Sequence, residues 1–126
     1  MSGTFQSYLQ LMRLKNVLLA AITVPLGAQF AIGDEWVSEQ LAEVVLQILA
    51  VVFFIGAGNT MNDIKDVAID REAHPNRPLA SGIISIDSAK KFVKLLWALS
   101  IICVLIGAYL LTTSNHSAVE LLVIYV

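Results

Sequence analysis

The 126-residue chain sets eight Lys or Arg against ten Asp or Glu, a net charge of −2, with 57% hydrophobic residues and a mean hydropathy of +0.76. That apolar excess excludes an ordinary soluble domain, the length allows one domain at most, and the charge leaves no basic excess for nucleic acid. A single cysteine, Cys103, excludes an intrachain disulfide and lies in an apolar run, where a thiol packs as a small hydrophobe.

In chain order, residues 4–14 mix polar and apolar side chains in a way that suits a short interfacial helix, with Tyr8 at headgroup depth and Arg13 and Lys15 as anchors. Charge is then absent from residues 16–33, 44–62 and 95–119, each long enough to cross a hydrocarbon core of about 30 Å. Pro25 removes one backbone donor within the first span, and Gly27 and Ala28 let a neighbour approach. Asp34, Glu35, Glu39 and Glu43 form an acidic loop in which Trp36 marks the far interface. The second span is expected from about Gln40 past Asn62, thinned by Gly56, Ala57 and Gly58.

Pro75, Pro78 and Gly82 interrupt the stretch that follows, which reads as a loop over the end of the second span. Ser85 is placed to cap the third span, with Asp87 in its first turn, while Lys90, Lys91 and Lys94 line its entry as a face toward membrane lipid. A fourth span begins at Glu120 and is still short at Val126, so the chain is expected to be truncated. The fold class is all-α, a multi-span transmembrane helical bundle with three full spans and the start of a fourth. Every basic residue falls before Asn16 or between Lys65 and Lys94, so by the positive-inside rule the N-terminus and the Asp-rich segment are expected to face the cytoplasm.

Polar chemistry concentrates at Asn59–Asp70. On one helix, with Asn62 at zero, Asp66 falls at roughly 40°, Asn59 at roughly 60°, Asp70 at roughly 80° and Asp63 at roughly 100°. Five oxygen-bearing side chains therefore share a face, and carboxylates so close repel one another unless a cation sits between them. Oxygen ligands without cysteine suit a hard cation, so Mg²⁺ is favoured, its shell completed by water and substrate phosphate. Arg71 and Arg77 bring guanidinium donors suited to the phosphate oxygens. His74 has no partner at metal-ligand spacing. An intramembrane acidic cluster is also compatible with a transport or assembly subunit that passes protons or cations.

The run Asn62-Asp63-Ile64-Lys65-Asp66-Val67-Ala68-Ile69-Asp70 resembles the first Asp-rich motif, NDxxDxxxD, of the UbiA-type intramembrane prenyltransferases. Asn59 ahead of it, the tail DREAHPNRPLASGIIS and the stretch Arg13-Leu14-Lys15-Asn16 are similar to further parts of that family's pattern. The resemblance implies Mg-dependent transfer of a polyprenyl group from its diphosphate to a lipid or aromatic acceptor in the membrane. It implies Asn62, Asp66 and Asp70 as Mg²⁺ ligands, Asp63, Asp66 and Asp70 as catalytic carboxylates, and Arg77, Arg71, Asn59 and Asn16 at the diphosphate or the cavity around it. Within the family, the RPLASG tail looks most like the archaeal branch that adds geranylgeranyl to geranylgeranylglyceryl phosphate in ether-lipid synthesis; aromatic acceptors, as in quinone or chlorophyll synthesis, stay open. A second Asp-rich motif belongs to a later helix of that family, so residues 1–126 are expected to be the N-terminal part of one such domain and inactive alone.

Overall fold

The structure, a computed structural model, describes residues 2–113 apart from Glu35, Trp36 and Ser38. The interfacial role expected of Trp36, the far end of the third span and the fourth span from Glu120 lie outside the described residues. Five helices follow one another: α1 (Ser2–Leu11), α2 (Leu14–Ile32), α3 (Leu41–Lys65), α4 (Val67–Ala73) and α5 (Ile86–Thr113), with no strand among the described residues.

Three of them, over Leu14–Ala31, Leu41–Lys65 and Ile86–Thr113, are long and apolar enough to cross a membrane, as the charge-free stretches predict. Their outward faces carry Leu19, Phe30, Phe54 and Leu105, all exposed, which is the surface a helix turns toward hydrocarbon. The inner faces meet around α3, which packs most extensively against α5 and next against α2. Small or medium side chains make this approach possible: Ala57, Val17, Val93 and Leu96 form the core between the spans, with Phe53 and Phe92 at its edge. Within it the Ser100 hydroxyl donates to the Ala50 carbonyl across the α3–α5 interface at 2.9 Å.

A second core sits at the end of the bundle that carries the acidic residues. Leu11 of α1 packs with Leu79 and Ile84 of the loop and Ala89 of α5. Leu79 and Ile84, 4% and 3% exposed, each stabilise the loop by about 1.5–3 kcal/mol on burial, so it is a packed segment despite its prolines. Turn bonds from the Arg77 amide to the His74 carbonyl and from the Ile84 amide to the Pro78 carbonyl hold its path, and Gly82 at φ +76° makes the left-handed turn before α5. Ser85 caps α5 as expected, its hydroxyl oxygen accepting from the Ser88 amide at 3.1 Å.

One expectation for the N-terminal segment is extended and another changes. Tyr8, expected at headgroup depth, is half-buried with its ring 4.7 Å from that of Phe92, so aromatic packing also ties α1 to α5. Arg13 does not serve as a lipid anchor, because it turns inward to an aspartate described below. Beneath it, Met12 packs where a side chain on Gly56 would stand: a Cβ at position 56 would lie 2.7 Å from Met12 Cε and 3.2 Å from Cγ. A Gly56→Val substitution is therefore expected to cost about 1–3 kcal/mol, since the branch needs more room than the Met12 methyl end can give. Thermal unfolding in detergent beside a Gly58→Val control, at a position with open space around its Cα, checks this.

Candidate functional site

The acidic helix end is built from backbone that nearly continues across a break. Asp66 closes α3 at φ −88° and ψ 1°, but its amide still donates to the Asn62 carbonyl at 2.9 Å, and the Asp70 and His74 amides donate to Asp66 and Asp70 in turn. The expected single helix through Asp70 is thus two helices in almost unbroken register, so the four-residue spacing of Asn62, Asp66 and Asp70 still places them along one side.

Exposure divides that side in two. Asn62 and Asp66, at roughly 0° and 40° on the wheel, are exposed; Asp70 and Asp63, at roughly 80° and 100°, are each 5% exposed. The buried pair is neutralised by arginines. Arg13 Nη2 donates to Asp63 Oδ1 at 2.6 Å, and Arg77 Nη1 donates to both carboxylate oxygens of Asp70 at 2.7 Å. The repulsion that the sequence poses is therefore relieved at Asp63 and Asp70 by guanidinium groups. The Asp70 hydrogen bond pushes the Arg77 pKa above its ordinary value, helped by the charges of Asp70, Asp63 and Asp66 against some loss of hydration. Arg77 thus feels all three carboxylates, Asp70 most strongly.

An open cavity of about 610 Å³ lies between this helix end, the α1–α2 junction and the loop. Arg13 and Asp63 line it from one side, Arg77, His74 and Asn76 from the other, with Gln10 at the junction. A second groove of about 530 Å³ shares Gln10 and Arg13 and is lined further by Leu9, Leu14, Lys15 and Asn16. Asn16 thus belongs to this neighbouring groove, not to the cavity beside the aspartates. Asn59 also has a partner other than substrate: its amide nitrogen donates to the Met12 carbonyl at 2.8 Å. Arg71 is exposed on α4.

The structure therefore joins Arg13 with Asp63 and Arg77 with Asp70, leaves Asn62 and Asp66 facing outward, puts Asn16 beside Arg13 in the neighbouring groove, and leaves Arg71 exposed. Gln10, His74 and Asn76 were not marked by sequence, because a lone amide or imidazole has no spacing signal until a loop folds back beside it. For Arg13 a signal did exist: Gly56, Asn59 and Asp63 recur at helical spacing on one face, and all three meet the Met12–Arg13 junction.

Among the described residues no three acidic, histidine or cysteine side chains converge closely enough to enclose a metal ion. The donor set fits Mg²⁺ nonetheless, since that ion is commonly held by one or two carboxylates and completes its shell with water and phosphate oxygens. Outward-facing Asn62 and Asp66 offer oxygens of that kind.

Three membrane-length helices, with an acidic helix end and paired arginines at one end of the bundle, define an integral membrane protein with a polar site beside the apolar phase. The chain belongs to the UbiA prenyltransferase family, whose pattern matches residues 17–126. It is 33% identical over 120 residues to the digeranylgeranylglyceryl phosphate synthase of Saccharolobus solfataricus, covering 94% of this chain and 42% of that protein. With the synthase of the same name from Methanocaldococcus jannaschii it shares 40% identity over 98 residues, 77% of this chain and 33% of the relative. A solved structure described as digeranylgeranylglyceryl phosphate synthase in membranes superposes with a TM-score of 0.76 at 28% identity, over 98% of this chain and 44% of the other. The chain thus spans between a third and less than half of the length of these relatives.

Proposed function

We propose that residues 1–126 are the N-terminal part of a single longer UbiA-type domain, and that they form the prenyl-diphosphate end of a Mg-dependent prenyltransferase. The observation that carries this is the row Asn62, Asp66 and Asp70, held in register across the helix break in a chain of this family. In the full-length protein, Asn62 and Asp66 would hold Mg²⁺ with Asp70 behind them, and Arg77 and Arg71, on the segments that follow, would offer guanidinium donors to the diphosphate oxygens. Bound there, the metal supplies positive charge to the leaving diphosphate. The side chains do the rest: the carboxylates orient, the guanidiniums balance charge, and the surrounding spans keep water from the allylic carbon.

Similarity to the archaeal synthases supports a geranylgeranyl donor and geranylgeranylglyceryl phosphate as acceptor, making an ether lipid. The distribution of basic residues supports a cytoplasmic site. The test is diphosphate release by the purified full-length protein, supplied with geranylgeranyl diphosphate and this acceptor. Release is expected to fall to background on chelation with EDTA and to return with added Mg²⁺. Release that survives chelation would sink the metal-dependent reading. Turnover with an aromatic acid but not with the glyceryl phosphate would move the acceptor to the quinone type.

A further inference from the structure

We infer that the Met12–Arg13 elbow is a positioning element that sets the rotation of the acidic helix end, and that Asp63 and Asn59 serve this elbow instead of a metal ion or the diphosphate. The inference rests on the prenyltransferase reading and divides the motif by role. Gly56, Asn59 and Asp63 stand three and four residues apart, so they share one face of α3. Each makes a different contact with the same two residues. Gly56 leaves the space that Met12 fills, Asn59 donates to the Met12 carbonyl at 2.8 Å, and Asp63 accepts from Arg13 at 2.6 Å.

Arg13 is also the one non-glycine with a positive φ among the described residues, at φ 53° and ψ 63°. A left-handed arginine is a strained conformation that persists only where its surroundings impose it. Here the elbow is fixed from both sides, by the Met12 amide on the Tyr8 carbonyl and by the Asn16 and Val17 amides on the Arg13 carbonyl. The guanidinium carries the connection onward into α3.

The geometry explains why this matters to neighbouring residues. Asp63 is 5% exposed and its Oδ1 is held by the Arg13 guanidinium, so a metal ion could reach it only through Oδ2 and only beside that positive charge. Asn62, the preceding residue, points roughly 100° away and is exposed. Pinning Asn59 and Asp63 to the elbow therefore fixes the rotation of α3 that turns Asn62 and Asp66 outward. Arg13 and Asp63 act through those residues.

The test compares Asp63→Asn, Arg13→Gln, their double variant and Arg13→Lys in the full-length protein. Three quantities are read: kcat, the Mg²⁺ concentration for half-activation, and hydrogen exchange of the Met12, Asn16 and Val17 amides. Asp63→Asn is expected to lower kcat at least tenfold, to shift half-activating Mg²⁺ by the same factor as Arg13→Gln does, and to speed exchange of those amides at least tenfold. Arg13→Gln should match it, the double variant should be no worse than the poorer single variant, and Arg13→Lys should recover part of kcat. A rise in half-activating Mg²⁺ for Asp63→Asn at least tenfold greater than that for Arg13→Gln would make Asp63 a ligand and overturn the inference, as would unchanged exchange at the elbow. Exchange needs no substrate, so failure of the unmodified protein to transfer a prenyl group counts against the prenyltransferase reading alone.

Discussion

Asp66→Ala in the full-length protein is expected to lower prenyl transfer by about 10²–10³-fold, the loss typical when a group that stabilises developing charge is removed. Its effect on folding stays within about 0.5 kcal/mol, as for other exposed residues away from special contacts. The separation of the two follows from where Asp66 sits. It is exposed at the break between α3 and α4, makes no ion pair among the described residues, and supplies no side-chain cap to either helix. Nothing in the fold is lost with it, while the outward oxygen pair formed with Asn62 is halved. Asp70→Ala is the informative contrast, because it removes a buried carboxylate and leaves Arg77 without its partner. Diphosphate release and thermal unfolding, measured side by side on both variants, check the separation. An Asp66→Ala protein that keeps more than a tenth of its activity would remove Asp66 from the metal site.

The helices were legible in the sequence because the membrane demands a coarse signal: about 20 apolar residues without charge mark a span wherever they fall. The Ser85 cap and the loop broken by Pro75 and Pro78 were legible for local reasons of backbone chemistry. The face shared by Asn59, Asn62, Asp63, Asp66 and Asp70 was legible from spacing alone. What spacing does not reveal is which way a polar face turns, and that is set by partners distant in the chain. Arg13 lies fifty residues from Asp63, and its place beside an apolar span suits a lipid anchor; only the elbow brings it inward. Arg77 has the donor geometry of a phosphate ligand, and in the folded chain its guanidinium is on Asp70. A guanidinium suits a carboxylate and a phosphate equally, so residue type alone leaves both roles open.

That ambiguity makes Arg77 the second decisive position. Arg77→Ala is expected to destabilise the site end of the bundle by about 2–3 kcal/mol, because it leaves Asp70 buried without its charged hydrogen-bond partner. The lower part of the range usual for broken buried pairs applies, since the Arg77 side chain is 37% exposed and water can reach the space it vacates. The damage should be local: Leu79 and Ile84 remain packed against Leu11 and Ala89, so the loop opens near His74–Arg77 while its buried half holds. Hydrogen exchange should accordingly rise at the Arg77 and Ser81 amides more than at the Ile84 amide. Arg77→Lys separates the two roles of the residue. The Asp70 contact is made through the single nitrogen Nη1, a geometry that a lysine ammonium can approximate, so most of the stability should return. A planar guanidinium facing diphosphate on its remaining nitrogens would not be replaced in this way, so restored stability with activity still down at least tenfold would give Arg77 a direct part in holding the substrate. Recovery of both together would confine it to Asp70.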